Sequence, residues 1–265
     1  MHKRARLDWA IRSLALIAAA CAAGALPIAA QWLKIPTRNV PRTPDGKPNL
    51  TAPAPKPADG KPDLSGIWNP NPKYVRNLAS DLKPGETPFQ PWAEKLFNER
   101  KTGSLSHEEP DANCLPQGTP KIDTAPAPWK VIQLPDQIAI LYEAFTQWRQ
   151  IFMDGRELPK DPNPTWFGYS VGHWEGDTLV VESNGFNGKA WLDQEGRPST
   201  DALHVTERFR RKDFGHLEIK VTIDDPKAYT KPWTVTQDPT LMLDTELLEF
   251  ICHENEKDIQ HMNKK

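Results

Sequence analysis

The sequence is poor in the residue groupings that most enzymes and metalloproteins need. Its three cysteines never stand as Cys-x-x-Cys and its seven histidines never as His-x-x-x-His, so the common zinc and dithiol spacings are missing and no metal site is expected. It has no Gly-x-Ser-x-Gly elbow and no glycine-rich phosphate loop. That argues against a hydrolase elbow, a P-loop and a dinucleotide fold, and no cofactor is expected. Positive charge is not in surplus: 33 Lys and Arg stand against 35 Asp and Glu, a formal charge of −2. A nucleic-acid partner would call for a basic surface, so none is expected.

Long apolar runs are also missing, with one exception. Lys3, Arg4, Arg6 and Arg12 precede an apolar stretch from Ser13 to Ala30, followed by the polar Gln31. A basic start, a short apolar core and small residues before a polar one form the signal-peptide arrangement. Residues 1–30 are therefore expected to be removed after Ala30, although Ile28 at the −3 position is larger than usual. Two alternatives compete: Cys21, after Ala18-Ala19-Ala20, as a lipidated residue, and retention of the stretch as an anchor. A membrane tether is expected only in those two cases. Without residues 1–30, which hold four of the 33 basic and one of the 35 acidic residues, the formal charge becomes −5. The expected location is periplasmic or secreted. In such an oxidising compartment the remaining pair, Cys114 and Cys252, reads as a disulfide, with two buried free thiols as the alternative.

What the sequence has in abundance is proline and tryptophan. Of 27 prolines, 18 lie between Pro36 and Pro128. Asp45-Gly46-Lys47-Pro48-Asn49-Leu50-Thr51 is nearly repeated as Asp59-Gly60-Lys61-Pro62-Asp63-Leu64-Ser65. Two copies are too few for a solenoid, so residues 31–62 read as a Pro-rich extended arm or linker. Residues 63–265 read as a single domain. One helix is expected near 88–102, with Thr87 and Gln90 as a capping box, Pro88 at its first position, Trp92 and Leu96 on one face, Lys95 facing Glu99, and Gly103 as its stop.

From Trp129 onward the apolar period changes to two. Strands are expected at Trp129–Leu134, Gln137–Glu143, Thr146–Asp154, Gly168–Trp174, Thr178–Ser183, Leu203–Arg211, His216–Asp224, Trp233–Gln237 and Thr245–His253. Short turns between them imply an antiparallel meander. To protect its edges it should close into an up-and-down β-barrel or a strongly curled sheet, lipocalin-like in type. The fold class is therefore mainly β, with the Pro-rich arm and one or two short helices. A three-residue loop at Lys212-Asp213-Phe214 would pair Phe209 with Leu217, Val205 with Val221 and Arg208 with Glu218. It would also place Glu207, opposite Ile219, in the apolar face.

Gly66-Ile67-Trp68 is similar to the G-x-W element that opens lipocalins. That resemblance implies a Trp closing one end of the barrel against an Arg of a late strand, here Arg208 or Arg210. The Thr-Asp-Tyr element of lipocalins is absent. A second resemblance covers most of the chain. Pro62 to Trp68, Cys114-Leu115-Pro116, Asp154-Gly155-Arg156, Trp174 to Val181, Val205 to Phe209 and Asp224 to Tyr229 resemble a large family of secreted bacterial proteins. That family brings no activity with it. His173 departs from its pattern, where Arg is usual, which weighs against a catalytic His173.

Carboxylates and aromatics carry the remaining chemistry. Glu207 on an apolar face would have a raised pKa and serve as an acid or base. The alternative is a structural ion pair with an Arg such as Arg149. Asp154 and Asp177 sit beside glycine as turn formers, and Asp224-Asp225 at a strand end either turns the chain or faces a ligand. Trp166 and Trp191 fall in long loops and are either lid residues or loop anchors. The leading expectation is binding of a small apolar or ring-shaped ligand, such as a lipid, terpenoid or sugar, at the barrel mouth. Arg149, Trp166, Tyr169 and Trp191 would be its contacts, with Glu207 and Arg208 nearby. The alternatives are a cofactor-free hydrolase, hydratase or isomerase using Glu207 with Arg208, and a structural module whose arm is a spacer to an envelope partner.

Overall fold

The computed structural model describes residues 35–57, 60–252 and 254. The expected signal segment 1–30 and Cys21 lie outside the described residues, as do Asp59 and His253. Among the described residues no helix is long and apolar enough to cross a membrane.

The chain forms a ten-stranded mixed sheet that curls into a half-barrel. In chain order the strands are β1 (Gly66–Asn69), β2 (Trp129–Gln133), β3 (Gln137–Tyr142), β4 (Gln147–Phe152), β5 (Tyr169–Glu175), β6 (Thr178–Asn184), β7 (His204–Arg211), β8 (Leu217–Asp224), β9 (Trp233–Gln237) and β10 (Thr240–Met242). They lie side by side as β10-β1-β2-β3-β4-β5-β6-β7-β8-β9. β10 follows β9 directly and pairs with β1, so both ends of this order are reached by one stretch of chain. The strongly alternating strands carry this fold: β7 and β8 bury every second residue, with Val205, Phe209, Ile219, Val221 and Ile223 inside. Each fully buried side chain of this size contributes about 1.5–3 kcal/mol.

Three expectations about the sheet need correction. β4 and β5 are parallel and meet only at Phe152 and Val171. The long segment 153–168 gives the crossover that a parallel neighbour requires, where tight turns would have forced an antiparallel one. The expected strand at Thr245–His253 does not form through residue 252; the last strand is Thr240–Met242 instead. β1 had no expected counterpart. It is only four residues long, and its Gly66 has φ +139 and leaves no room for a Cβ, which would meet the Leu241 side chain near β1 at 2.6 Å.

The β7–β8 register differs by two residues from expectation: Phe209 faces Ile219, Glu207 faces Val221 and Arg208 faces Lys220. The loop is longer because the Lys212 N–H closes on the His216 carbonyl at 2.9 Å. Within it the N–H groups of Phe214 and Gly215 donate to Ala52 and Leu50 of the proline-rich segment, both at 2.7 Å. A slip of two leaves every side chain on its own face, so Glu207 still points inward.

Helix α1 (Lys73–Arg76) is one turn long, and α2 spans Pro91–Lys101. α2 starts later than expected: Gln90 is its cap and Pro91 its first residue, because Phe89 is held as a bridge to Tyr229. Its buried face is Ala93 and Phe97, while Trp92 is exposed. The expected Lys95–Glu99 pair is present at 4.0 Å.

The proline-rich segment is fastened to the sheet at several points. Besides the loop contacts above, Asp63 N–H donates to Pro55 O at 2.9 Å and Lys56 pairs with Asp177 at 2.6 Å. Cys114 and Cys252 form the disulfide, closing a separation of 138 residues.

Trp68 is fully buried beside Trp129, with ring centroids 6.5 Å apart, and its indole N–H donates to Leu64 O at 3.0 Å. A late-strand arginine does cover its ring, but it is Arg211, at 5.1 Å, in place of the expected Arg208 or Arg210. Arg211 also donates to the carbonyls of Asp63 and Ser65, on the segment leading to Trp68.

Candidate functional site: a buried polar layer beneath an aromatic cleft

The mainly apolar inside of the half-barrel holds a polar layer that runs across five adjacent strands, besides the buried Arg211 on β7 and Gln237 on β9. Adjacent strands each supply one inward polar residue: Tyr142 on β3, Arg149 on β4, Ser170 on β5, Ser183 on β6 and Glu207 on β7. Asp123 joins them from a 3₁₀ turn, Lys121–Thr124, packed beneath Trp129. The Trp129 indole donates to the Asp123 carbonyl at 3.3 Å, and Tyr142 donates its hydroxyl proton to Asp123 Oδ1 at 2.6 Å.

Arg149 and Glu207 form a direct ion pair through Nη2 and Oε2, with side chains 1% and 0% exposed. Arg149 also donates from Nε to Ser170 Oγ at 3.2 Å and from Nη2 to Ser183 Oγ at 2.9 Å. The two serine hydroxyls are themselves 2.8 Å apart. A buried pair of this kind adds little net stability, but removal of either partner strands a charge at a cost of about 3–5 kcal/mol.

Burial pushes Asp123 up to about 7, aided by the negative charge of Glu207 and opposed by Arg149 and the Tyr142 hydrogen bond. Burial likewise raises Tyr142, with the Asp123 charge acting in the same direction. Burial works against the charge of Arg149, yet Glu207 beside it holds the guanidinium pKa above its ordinary value. At neutral pH the layer thus holds the Arg149 guanidinium and, in Asp123, a carboxyl close to its titration point. Three of its buried atoms have no hydrogen-bond partner: Arg149 Nη1, Glu207 Oε1 and Asp123 Oδ2.

A cleft of about 370 Å³ leads toward this layer. It lies where β4 and β5 diverge from their single bridge. Trp148, Phe152, Phe167 and Tyr169 line it together with Arg149 and Ser170. Tyr169 stacks on Phe152 at 5.1 Å, and Phe167 stacks on Tyr142 of the polar layer at 6.1 Å. Arg156 braces the outer wall: its guanidinium lies 3.9 Å over Phe152 and donates to Tyr169 Oη at 2.8 Å, and Asp154 holds it.

Of the residues singled out in the sequence, Arg149 pairs with Glu207 in the buried layer and lines the cleft together with Tyr169, while Glu207 is not part of the cleft's lining. Trp166 is half-buried between the cleft residues Thr165 and Phe167, with its carbonyl against Gly118. Trp191 is buried elsewhere, under the Arg100 guanidinium at 4.3 Å, in the anchoring arrangement. Arg208 lies on the outer face, paired with Glu175 at 2.6 Å, and His173 sits on the same carboxylate at 3.3 Å. Asp225 turns the chain, accepting from Thr200 N–H and Oγ1, each at 2.7 Å. Among the described residues no three His, Cys, Asp or Glu side chains are grouped to hold a metal ion.

Sequence reasoning did not single out Asp123, Tyr142, Trp148 or Phe167, nor the strand serines Ser170 and Ser183. Tyr142 was within reach, as the inward position after Ile138 and Ile140 in the β3 alternation. Asp123 had no signal, since it sits among prolines outside any periodic segment. No family model matches the chain, and no curated protein or solved structure is similar to it.

Proposed function

We propose that this is an exported binding protein for a small ring-shaped ligand, held in the cleft between β4 and β5. The observation that carries this reading is the cleft itself, with four aromatic side chains around it and Arg149 and Ser170 among its lining. Its volume lies within the range of small-molecule sites, and aromatic faces hold flat rings at low entropic cost. Export is supported by the N-terminal charge and apolar pattern and by the Cys114–Cys252 bond, which suits an oxidising compartment.

Native mass spectrometry of the protein purified from its host should reveal a co-purifying small molecule. Trp148 is 62% exposed, so Trp148→Ala should fold normally and lose that molecule or bind it at least about ten-fold more weakly. Unchanged affinity in Trp148→Ala would refute this placement of the ligand.

A second reading has one observation in its favour. Asp123 and Glu207 both act on Arg149, and an Asp123 pKa of about 7 suits proton transfer near neutral pH. A cofactor-free hydratase, isomerase or hydrolase would then use the same layer. Loss of turnover with intact binding in Asp123→Asn would favour it, and a bound compound recovered unchanged would favour simple binding.

A further inference from the structure

The cleft between β4 and β5 is open, long and without unpaired charge, and these three properties narrow what it takes. We infer that its ligand is a neutral oligosaccharide, with one sugar ring on Trp148, another on Tyr169 and hydroxyls between them on Gln150. The inference rests on the cleft reading above and names the ligand class.

β4 sets the spacing. Arg149 and Ile151 point inward and are buried, so Trp148, Gln150 and Phe152 stand in a row on the outer face. With a rise of about 3.3 Å per residue, Gln150 lies about 7 Å and Phe152 about 13 Å from Trp148 along the strand. Phe152 is itself covered, by the Arg156 guanidinium at 3.9 Å and by Tyr169 stacked on it at 5.1 Å, so the ring offered at that end is Tyr169. Aromatic stations this far apart exceed the reach of a single six-membered ring and suit rings joined in a chain. Between them the Gln150 side chain is exposed, because its neighbour across the β3–β4 pair is the short Ala139. Gln147 donates an N–H to the Phe145 carbonyl at 3.0 Å and Thr165 its O–H to the Gly168 carbonyl at 3.3 Å, which leaves each an oxygen able to accept from a ligand hydroxyl.

Charge and exposure decide between ligand classes. Arg149 is the only charged residue of the lining, and Glu207, which lies outside the lining, neutralises it. An anionic ligand finds no unpaired cation here, and a cationic one finds no carboxylate. A lipid or terpenoid would need an enclosed pocket that buries most of its surface. Here Trp148 stands open to solvent, and amides and a hydroxyl alternate with the rings. A sugar suits this mixture: its C–H faces lie on aromatic rings, and its hydroxyls donate to and accept from side-chain amides. A proline-rich peptide is the rival occupant of an aromatic groove, but proline has no N–H to give the accepting oxygens.

The test titrates the full chain by calorimetry with neutral hexasaccharides of glucose (α-1,4 and β-1,4), N-acetylglucosamine, xylose and mannose. Decaproline and 2-naphthol serve as probes that are not sugars. At least one hexasaccharide should bind with a Kd below about 1 mM, and its monosaccharide at least about ten-fold more weakly. Trp148→Ala and Tyr169→Ala should each weaken that binding at least about ten-fold, and Gln150→Ala at least about three-fold. Naphthol affinity should not respond to Gln150→Ala. Binding of naphthol or decaproline with no hexasaccharide bound would overturn the inference and leave the cleft as a site for another ligand. A monosaccharide that binds as tightly as its hexasaccharide would overturn it too, and so would a hexasaccharide whose affinity survives Trp148→Ala or Tyr169→Ala. If no probe binds, the cleft reading fails and takes the inference with it. Trp148 and Gln150 are exposed, so their variants should fold and decide the matter even if Tyr169→Ala does not.

Discussion

Asp123→Asn should make the protein more stable at alkaline pH while leaving it little changed in acid. The aspartate is 3% exposed, and its pKa lies at about 7 against an ordinary value of 3.8. A carboxyl whose folded pKa is raised binds its proton more tightly in the folded state. Its contribution to stability is complete below the unfolded pKa and is lost as pH rises through the folded pKa. The full shift corresponds to about 4 kcal/mol, of which about 2–3 kcal/mol falls between pH 5 and pH 8. Asparagine is isosteric with the protonated acid and keeps an acceptor for the Tyr142 hydroxyl, now 2.6 Å away, but has no proton to lose. Urea unfolding of both proteins at pH 5, 6, 7 and 8, with the disulfide intact, measures the difference directly. The variant should gain on the wild type steadily across that window. A difference that stays constant with pH, or shrinks as pH rises, would refute the placement of Asp123 as a buried acid in the field of Glu207.

Glu207→Gln, by leaving the Arg149 charge buried without its counter-ion, should lower stability by about 3–5 kcal/mol, read as a fall in the urea midpoint. The double variant Arg149→Met with Glu207→Leu should recover most of that loss, because no charge is then stranded. Breaking the Cys114–Cys252 bond by Cys114→Ser should lower stability by about 2–5 kcal/mol in the same assay. Dithiothreitol should have the same effect on the wild type and none on the variant. Gly66→Ala should lower the midpoint by about 1–3 kcal/mol, since its φ of +139 is strained for alanine and its new methyl meets Leu241.

The half-barrel was legible wherever one face of a strand is buried and the other wet. Period-two alternation marks β2 to β9, and it marks the faces correctly even where the register slips, as in β7 and β8. What it missed was set by distant contacts. The β7–β8 loop is long because Leu50 and Ala52 take its N–H groups, and nothing near residue 212 encodes that. The stretch after Thr245 resembles a strand but runs as a strap. Lys130 pairs with Glu246, Glu143 accepts from Leu248 N–H, and Cys114 holds Cys252.

The polar layer shows how far such parity reaches and where it stops. Alternation fixes odd positions of β7 as inward, so Val205, Glu207, Phe209 and Arg211 share the interior while Arg208 and Arg210 face out. Parity alone therefore favours Arg211 as the partner of Trp68, and marks Glu207 and Arg149 as polar residues at apolar positions. It does not join them, because β5 and β6 lie between their strands. The join depends on what those two strands put in the path. Each contributes a serine, Ser170 and Ser183, directly opposite one another. The sheet curls, and these short side chains leave the Arg149 guanidinium room to reach Glu207 while their hydroxyls accept its spare protons. Two serines in strand interiors carry no signature of their own. Their meaning comes from the arginine on one side and the glutamate on the other, and from the curl that brings all four together.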